Sequence, residues 1–211
     1  MLLFFSGCSD QDASFLDNLS ALKREFIDEV LEGSMDECPF HLDYNLRTVF
    51  YSEQVVSLFG VLRNYTHLPH GWTKYEGRTF YKMAGKFVPL ALHDLVRTKK
   101  DREFIRRYCE NTLKSDPYSY FSGSDPLRAT LEYEDINTFA LDNGALIIVF
   151  QPYTVAGCTD GPPIVRIPWS DLKSAIDTAH TFYAILDQTL SSRNFIASWN
   201  EGCRAEFADS L

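Results

Sequence analysis

Few side chains in this sequence have the chemical reach for catalysis. Five histidines occur in 211 residues. His67 and His70 stand three apart in the loop Thr66-His67-Leu68-Pro69-His70-Gly71-Trp72, and His93 directly precedes Asp94. Imidazoles joined by a carboxylate are the donor set of a catalytic zinc, but an H-x-x-H pair with no third ligand at fixed spacing defines no metal site. Solvent-facing or hydrogen-bonded histidines are expected instead, with no metal and no other cofactor. Cys158 sits between Gly157 and Thr159, in the setting of a loop nucleophile. A nucleophilic thiol needs a base that keeps it as thiolate, and spacing fixes none beside it, so a disulfide or an inert thiol is expected. The 29 acidic residues are scattered, and no two are spaced to divide acid and base roles. The sequence also lacks G-x-S-x-G, G-x-x-x-x-G-K, G-x-G-x-x-G after a strand, and H-E-x-x-H. No catalytic residue is predicted, and the chain reads as a protein that is not an enzyme.

One cysteine has a different chemistry. In Met1-Leu2-Leu3-Phe4-Phe5-Ser6-Gly7-Cys8, bulky apolar residues and then two small ones precede a cysteine and a polar run. This resembles the end of a bacterial lipoprotein signal, where a peptidase cleaves before a cysteine that carries diacylglycerol. The apolar run is shorter than the roughly 7–15 residues of an export signal and has no basic flank. That predicts a coding sequence that starts further upstream. Cys8 is therefore the candidate lipid attachment site, residues 1–12 a signal remnant and anchor linker, and the bacterial envelope (periplasmic or extracytoplasmic) the expected location. No other stretch approaches the ~18 apolar residues of a membrane span. Cys38, Cys109, Cys158 and Cys203 remain, an even number that allows three pairings if all are bridged. Cys109 falls on an apolar helical stripe, where a buried thiol is the alternative.

The elements that must position these groups follow from apolar periodicity. Phe15, Leu19, Leu22, Phe26 and Val30 mark one face of a helix over Ser14–Leu31, with Ser14 and Asp17 as its capping box and Gly33 as its stop. Phe40, Leu42, Tyr44 and Leu46 alternate with polar residues, as a half-buried strand does. Further strands are expected at 53–63 and 73–83, with a turn at Ala84-Gly85-Lys86, a short helix near 92–96 and a longer one at 101–114. A polar, turn-rich loop covers 115–125. Residues 136–150 read as a β-hairpin around Asp142-Asn143-Gly144, with Asn-Gly supplying positive φ angles. Its second arm, Leu146–Phe150, is apolar on both faces and is expected to be a central strand covered by helices. A strand at 164–167 leads into a helix opened by Pro168-Trp169, with a stripe of Leu172, Ile176, Ala179, Tyr183, Leu186 and Leu190. The fold class is α+β, an antiparallel sheet with helices packed on it.

Composition narrows the partners. The chain is 45% hydrophobic and 23% charged, which is ordinary for a globular domain and excludes wholesale disorder. Its net charge of −9 argues against nucleic-acid binding, which depends on basic residues at phosphates, and against docking on anionic lipid by charge. The loop Pro152–Pro163, shaped by Gly157, Gly161, Pro162 and Pro163 between two apolar strands, is the kind of irregular segment that rigid strands present to a partner. Tyr153 at its base is the candidate aromatic anchor.

Residues 152–172 combine Pro152-Tyr153, a loop closed by Gly161, a strand, and Ile167-Pro168-Trp169 followed by Leu172. With the upstream Tyr44, Val55-Val56-Ser57-Leu58, His70-Gly71, Phe80, Gly85-Lys86 and Leu90-x-x-x-Asp94-Leu95, this segment resembles the RsiV-like extracytoplasmic domain family. That family supplies the C-terminal domain of a lysozyme-sensing anti-sigma factor and of some polysaccharide deacetylases. The sequence departs from the family pattern at Leu68-Pro69, where Gly-Gly is usual, and at Cys158, where an aromatic is usual. The resemblance spans 13–175 and leaves 176–211 as a helical extension. It implies a non-catalytic cell-envelope binding or sensing module, with peptidoglycan or a lysozyme-like protein as partner and Tyr153, Gly157, Asp160, Gly161 and His70 at the contact. The alternatives are a metal-dependent envelope hydrolase using His67 or His70, and a structural or assembly lipoprotein.

Overall fold

The computed structural model describes residues 10–32, 41–65, 71–116, 119–121, 131–156, 162–175 and Tyr183. These form helix α1 (Asp10–Glu32), strands β1 (His41–Tyr51), β2 (Val55–Tyr65), β3 (Trp72–Met83) and β4 (Lys86–Leu90), and the short helix α2 (Leu92–Leu95). Helix α3 (Lys99–Lys114), strands β5 (Thr138–Leu141), β6 (Ala145–Val149) and β7 (Ile164–Pro168), and helix α4 (Trp169–Ala175) follow. The fold is α+β with antiparallel pairing throughout, and the strands divide between two sheets, β1-β2-β3-β4 and β5-β6-β7.

The expected hairpin is present, as β5 and β6, and β6 is the middle strand of its sheet. Its cover differs from expectation. Leu146, Ile148 and Phe150 join a cluster with Ile105, Cys109 and Leu113 of α3, whereas Ala145, Ile147 and Val149 pack with Val49, Phe59, Val61 and Tyr75 of the other sheet. One face of β6 meets a helix and the other a sheet. Either cover buries an apolar side chain equally well, so composition could not distinguish them.

Turn chemistry also departs from expectation. Neither Asn143 nor Gly144 takes a positive φ; among the described residues the positive values belong to Ala84 (50°), Gly85 (81°) and Tyr153 (64°). The β5–β6 turn is held instead by Asp142, whose buried Oδ1 accepts from the N–H groups of Gly144 (2.8 Å) and Ala145 (2.7 Å). Its Oδ2 pairs with Arg166 at 2.7 Å, and its carbonyl accepts from Trp169 Nε1 at 3.1 Å. An Asx turn satisfies the same backbone groups without left-handed residues. The two-residue turn with positive φ angles lies at Ala84-Gly85, between β3 and β4.

Helix α1 begins at Asp10, four residues before the expected cap, so Ser14 lies inside the helix and does not start it. Its buried Leu22 and Phe26 pack on Val56, Leu58, Leu62 and Phe80 of the four-stranded sheet. Arg78 lies over the Phe26 ring at 5.7 Å and pairs with Glu29. Helix α3 starts with a capping box, in which Asp101 N–H donates to Thr98 Oγ1 (3.1 Å) and Thr98 N–H to Asp101 Oδ2 (3.0 Å). Cys109 is a free, fully buried thiol, so a framework that bridges all four remaining cysteines is corrected by burial in the α3 interface. Cys38, Cys158 and Cys203 lie outside the described residues. Tyr183, in the segment beyond 175, is buried in the same cluster as α3, and its hydroxyl reaches the Leu95 carbonyl at 3.5 Å.

Candidate functional site

The chain leaves β6 through the fully buried Phe150 and turns at once. Thr154 N–H donates to the Gln151 carbonyl (3.2 Å) and Tyr153 N–H to the Ala156 carbonyl (3.1 Å). Val155 and Ala156 point inward, and Ala156 forms an antiparallel bridge with Ser119. Tyr120 N–H and Ser119 Oγ both donate to the Val155 carbonyl, at 2.8 and 3.3 Å. Within this anchored turn Tyr153 holds a left-handed φ of 64° and leaves its side chain 59% exposed. Tyr120, on the bridged segment, is 37% exposed. A bulky residue in the left-handed region costs on the order of 1 kcal/mol, and such strain collects at contact and clamp sites.

A second feature is an open groove of about 830 Å³ between β3, β4, α2 and the residues leading into β5. Arg78, His93, Asp94, Arg102 and Tyr133 are among its polar lining residues. Arg102 lies over the Tyr133 ring at 5.5 Å and donates through Nε to the Val96 carbonyl at 3.3 Å. The Tyr133 hydroxyl is buried and has no partner among the described residues. Burial pushes its pKa up, with Arg102 opposing and Glu134 reinforcing the shift. His93 Nε2 comes within 3.7 Å of Asp94 Oδ1, with the histidine side chain exposed. Among the described residues no three His, Cys, Asp or Glu side chains converge as metal ligands.

Of the contact residues expected from sequence, Tyr153 is described and exposed. His70, Gly157, Asp160 and Gly161 lie outside the described residues, as do Cys8 and His67. Within residues 152–172 the structure separates frame from surface. Ile167 and Leu172 are fully buried, and Trp169 fastens the β5–β6 turn through its indole N–H. Among the described residues of the segment, Tyr153 alone of the large apolar side chains is exposed. Tyr120 was hidden from sequence reasoning inside a polar loop, where one exposed aromatic carries no periodic signal. Arg102 and Tyr133 come together only through the tertiary fold.

Residues 93–170 match the family model described as "Protein of unknown function (DUF3298)". The matched span runs from α2 into the first turn of α4 and contains α3, the three-stranded sheet, Tyr120 and Tyr153. Among solved structures, a member of that family from Bacteroides fragilis NCTC 9343 is similar at a TM-score of 0.52 and 13% identity, over 89% of this chain and 75% of the other. A DUF3298 family protein from Pseudomonas aeruginosa PAO1 gives a TM-score of 0.47 and 15% identity, over 75% of this chain and 69% of the other. At such identities the likeness is one of fold. No curated protein matches the chain.

Proposed function

We propose that the chain is a non-catalytic binding or sensing module of the bacterial cell envelope whose contact surface is the end bearing Tyr153 and Tyr120. The reading rests on Tyr153, an exposed aromatic kept in a left-handed turn that glycine or asparagine would occupy at lower cost. Bonds from both flanking segments hold the turn, so the backbone beneath the ring is ordered before a partner arrives and only the side chain remains to be fixed. Tyrosine offers large amphipathic area with few rotatable bonds, which suits stacking on a sugar face or seating in a protein pocket. The resemblance of residues 152–172 to the RsiV-like segment supports the same end, and makes wall glycan or a glycan-cleaving protein such as lysozyme the proposed partner. Lipid attachment at Cys8 is part of this reading. With an upstream start, labelled palmitate is expected in the wild type and not in Cys8→Ser, and equal labelling overturns it.

The binding test compares wild type with Tyr153→Ala and Tyr120→Ala on purified peptidoglycan and on lysozyme. Each variant is expected to melt within a few degrees of wild type and to bind at least about tenfold more weakly. Folded variants with unchanged affinity overturn the surface, and a wild type that binds neither probe overturns the partner.

A further inference from the structure

Helix α3 and the corner before it hold their cations in two different ways. Along the rest of the helix, Arg106, Arg107 and Lys114 are each neutralised by Glu103 or Glu110. At the α2–α3 corner, Arg97, Lys99, Lys100 and Arg102 are exposed, and among the described residues none of them pairs with a carboxylate. Asp94 and Asp101, the acids within this stretch, turn to the backbone instead. Asp94 Oδ2 accepts from the Ala91 N–H and Asp101 Oδ2 from the Thr98 N–H, both at 3.0 Å. On a chain of net charge −9, a local excess of exposed cations steers an anion to one place. Arg102 belongs both to this corner and to the groove of about 830 Å³, where it stands with His93, Asp94, Glu134 and Asn137. The corner is not part of the Tyr153 surface. Tyr120 follows the last turn of α3, and the 16 residues of the helix put about 24 Å between its two ends.

We propose that this corner and the groove beside it bind an acidic sugar chain, with Arg97, Lys99, Lys100 and Arg102 on its carboxylates and a neighbouring sugar unit in the groove. Exposed cations attract any polyanion, and the groove lining selects among them. It presents the carboxylates of Asp94 and Glu134 and the exposed amide of Asn137. Carboxylates accept from sugar hydroxyls, whereas they repel an acidic peptide. Asn137 Oδ1 already accepts from Thr138 Oγ1, which leaves its amide N–H groups to donate to a sugar oxygen. A bilayer surface is flat and does not enter a groove. The exposed large hydrophobic side chains among the described residues are Met83, Tyr120 and Tyr153, so the corner has none to bury in lipid. Nor does it offer a bare aromatic face for stacking bases, since Arg102 lies over the Tyr133 ring. The site needs neither the Tyr153 contact nor a lipid at Cys8.

The test measures binding of the 211-residue chain to oligogalacturonate, to polyglutamate of equal charge and to phosphatidylglycerol vesicles. Oligogalacturonate is expected to bind with a Kd below about 1 mM, and more weakly as salt rises because the cations are exposed. It is expected to bind at least about tenfold more tightly than either other probe. Lys99→Glu/Lys100→Glu is expected to weaken it about tenfold or more. The first turn of a helix favours acidic residues, so this variant keeps its fold. Lys82→Glu/Lys86→Glu makes the same change of charge at the end of β4 away from the groove, and is expected to stay within about twofold of wild type. Glu134→Ala removes a negative charge, yet is expected to weaken binding about threefold, because a hydroxyl acceptor is lost. No binding of oligogalacturonate at about 1 mM overturns the proposal. So do polyglutamate or vesicles that bind equally well, equal losses in the two lysine pairs, or a Glu134→Ala variant that binds as tightly as wild type or more so.

Discussion

Gly77 shows at a single residue how tightly the two sheets meet. A Cβ built there would fall on the backbone of Phe139 in β5, with the carbonyl oxygen nearest. Backbone cannot rotate aside as a side chain can, so even one methyl group must push the sheets apart. Gly77→Ala is expected to lower the unfolding free energy by about 3 kcal/mol, the scale of an overpacked core. Gly144→Ala, whose nearest neighbour would be the Asp142 carboxylate at 3.8 Å, is expected to cost under about 1 kcal/mol. Urea unfolding of both variants checks the contrast, and equal losses would mean that Gly77 is not the close approach. Cys109 shows the opposite use of a reactive residue type. Burial against α3's core neighbours pushes its thiol up to about 12, so it serves as packing and not as a nucleophile.

At the scale of the element, α3 is held by its cap, its buried stripe and a chain of charges. Arg106 bonds Glu103 (3.0 Å), Glu110 (2.6 Å) and the Leu131 carbonyl (3.1 Å), while Lys114 reaches Glu110 at 2.5 Å. Hydrogen bonds from Arg106 and then Arg107 hold the Glu103 carboxyl at about 2, below its ordinary 4.5. The Lys114 bond, opposed by desolvation and aided by Arg106, lowers Glu110 as well. A carboxylate whose folded pKa is depressed stabilises the fold above its unfolded pKa, and that contribution is lost as pH falls toward the folded value. The melting temperature is therefore expected to drop between about pH 4.5 and pH 2. Glu103→Gln should flatten part of that slope, as should 1 M salt, because Glu103 is solvent-exposed. An identical slope in the variant would assign the acid sensitivity elsewhere.

At the scale of the molecule, a few polar side chains join the sheets. Gln151 accepts from the Tyr75 N–H (3.0 Å) through Oε1, and its Nε2 donates to the Tyr75 carbonyl (2.7 Å) and to Thr138 Oγ1 (2.9 Å). It takes the place of a missing strand beside the N-terminal half of β3, beyond the end of β4. Ser57 Oγ accepts from the Leu141 N–H at 2.9 Å and contacts Thr79 Oγ1 at 3.0 Å, giving a second link. Gln151→Leu fills similar space and removes the side-chain acceptor of the Tyr75 N–H and one of two donors to its carbonyl, Thr138 Oγ1 at 3.4 Å being the other. It is expected to cost about 1–3 kcal/mol, the scale of one buried group losing its partner. Hydrogen exchange locates the effect: the Tyr75 amide should lose protection while amides in the middle of β6 keep theirs. Retained protection at Tyr75 would show that another group caps the strand.

The sequence by itself determined the elements, because period and turn chemistry are local. Strands β2, β3 and β7, the hairpin and α3 all lie within a few residues of where the alternation and helical stripes put them, whereas β4, five residues long, carried no strand signal of its own. Only the tertiary structure decided what each apolar face meets. The sequence of β6 shows burial on both sides and cannot say that one cover is α3 and the other a second sheet. β1 reads in sequence as ending near Leu46, yet it runs to Tyr51, because a bulge between Thr48 and Phe50 shifts the register and buries the neighbours Val49 and Phe50 together. Such a bulge breaks the period-two pattern that sequence reading depends on. The candidate site divides in the same way. Tyr153 was legible as an aromatic at the base of a Gly/Pro-shaped loop. Its left-handed backbone, and its company with Tyr120, depend on the bridge between residues 119 and 156, a contact between distant segments that no local pattern encodes.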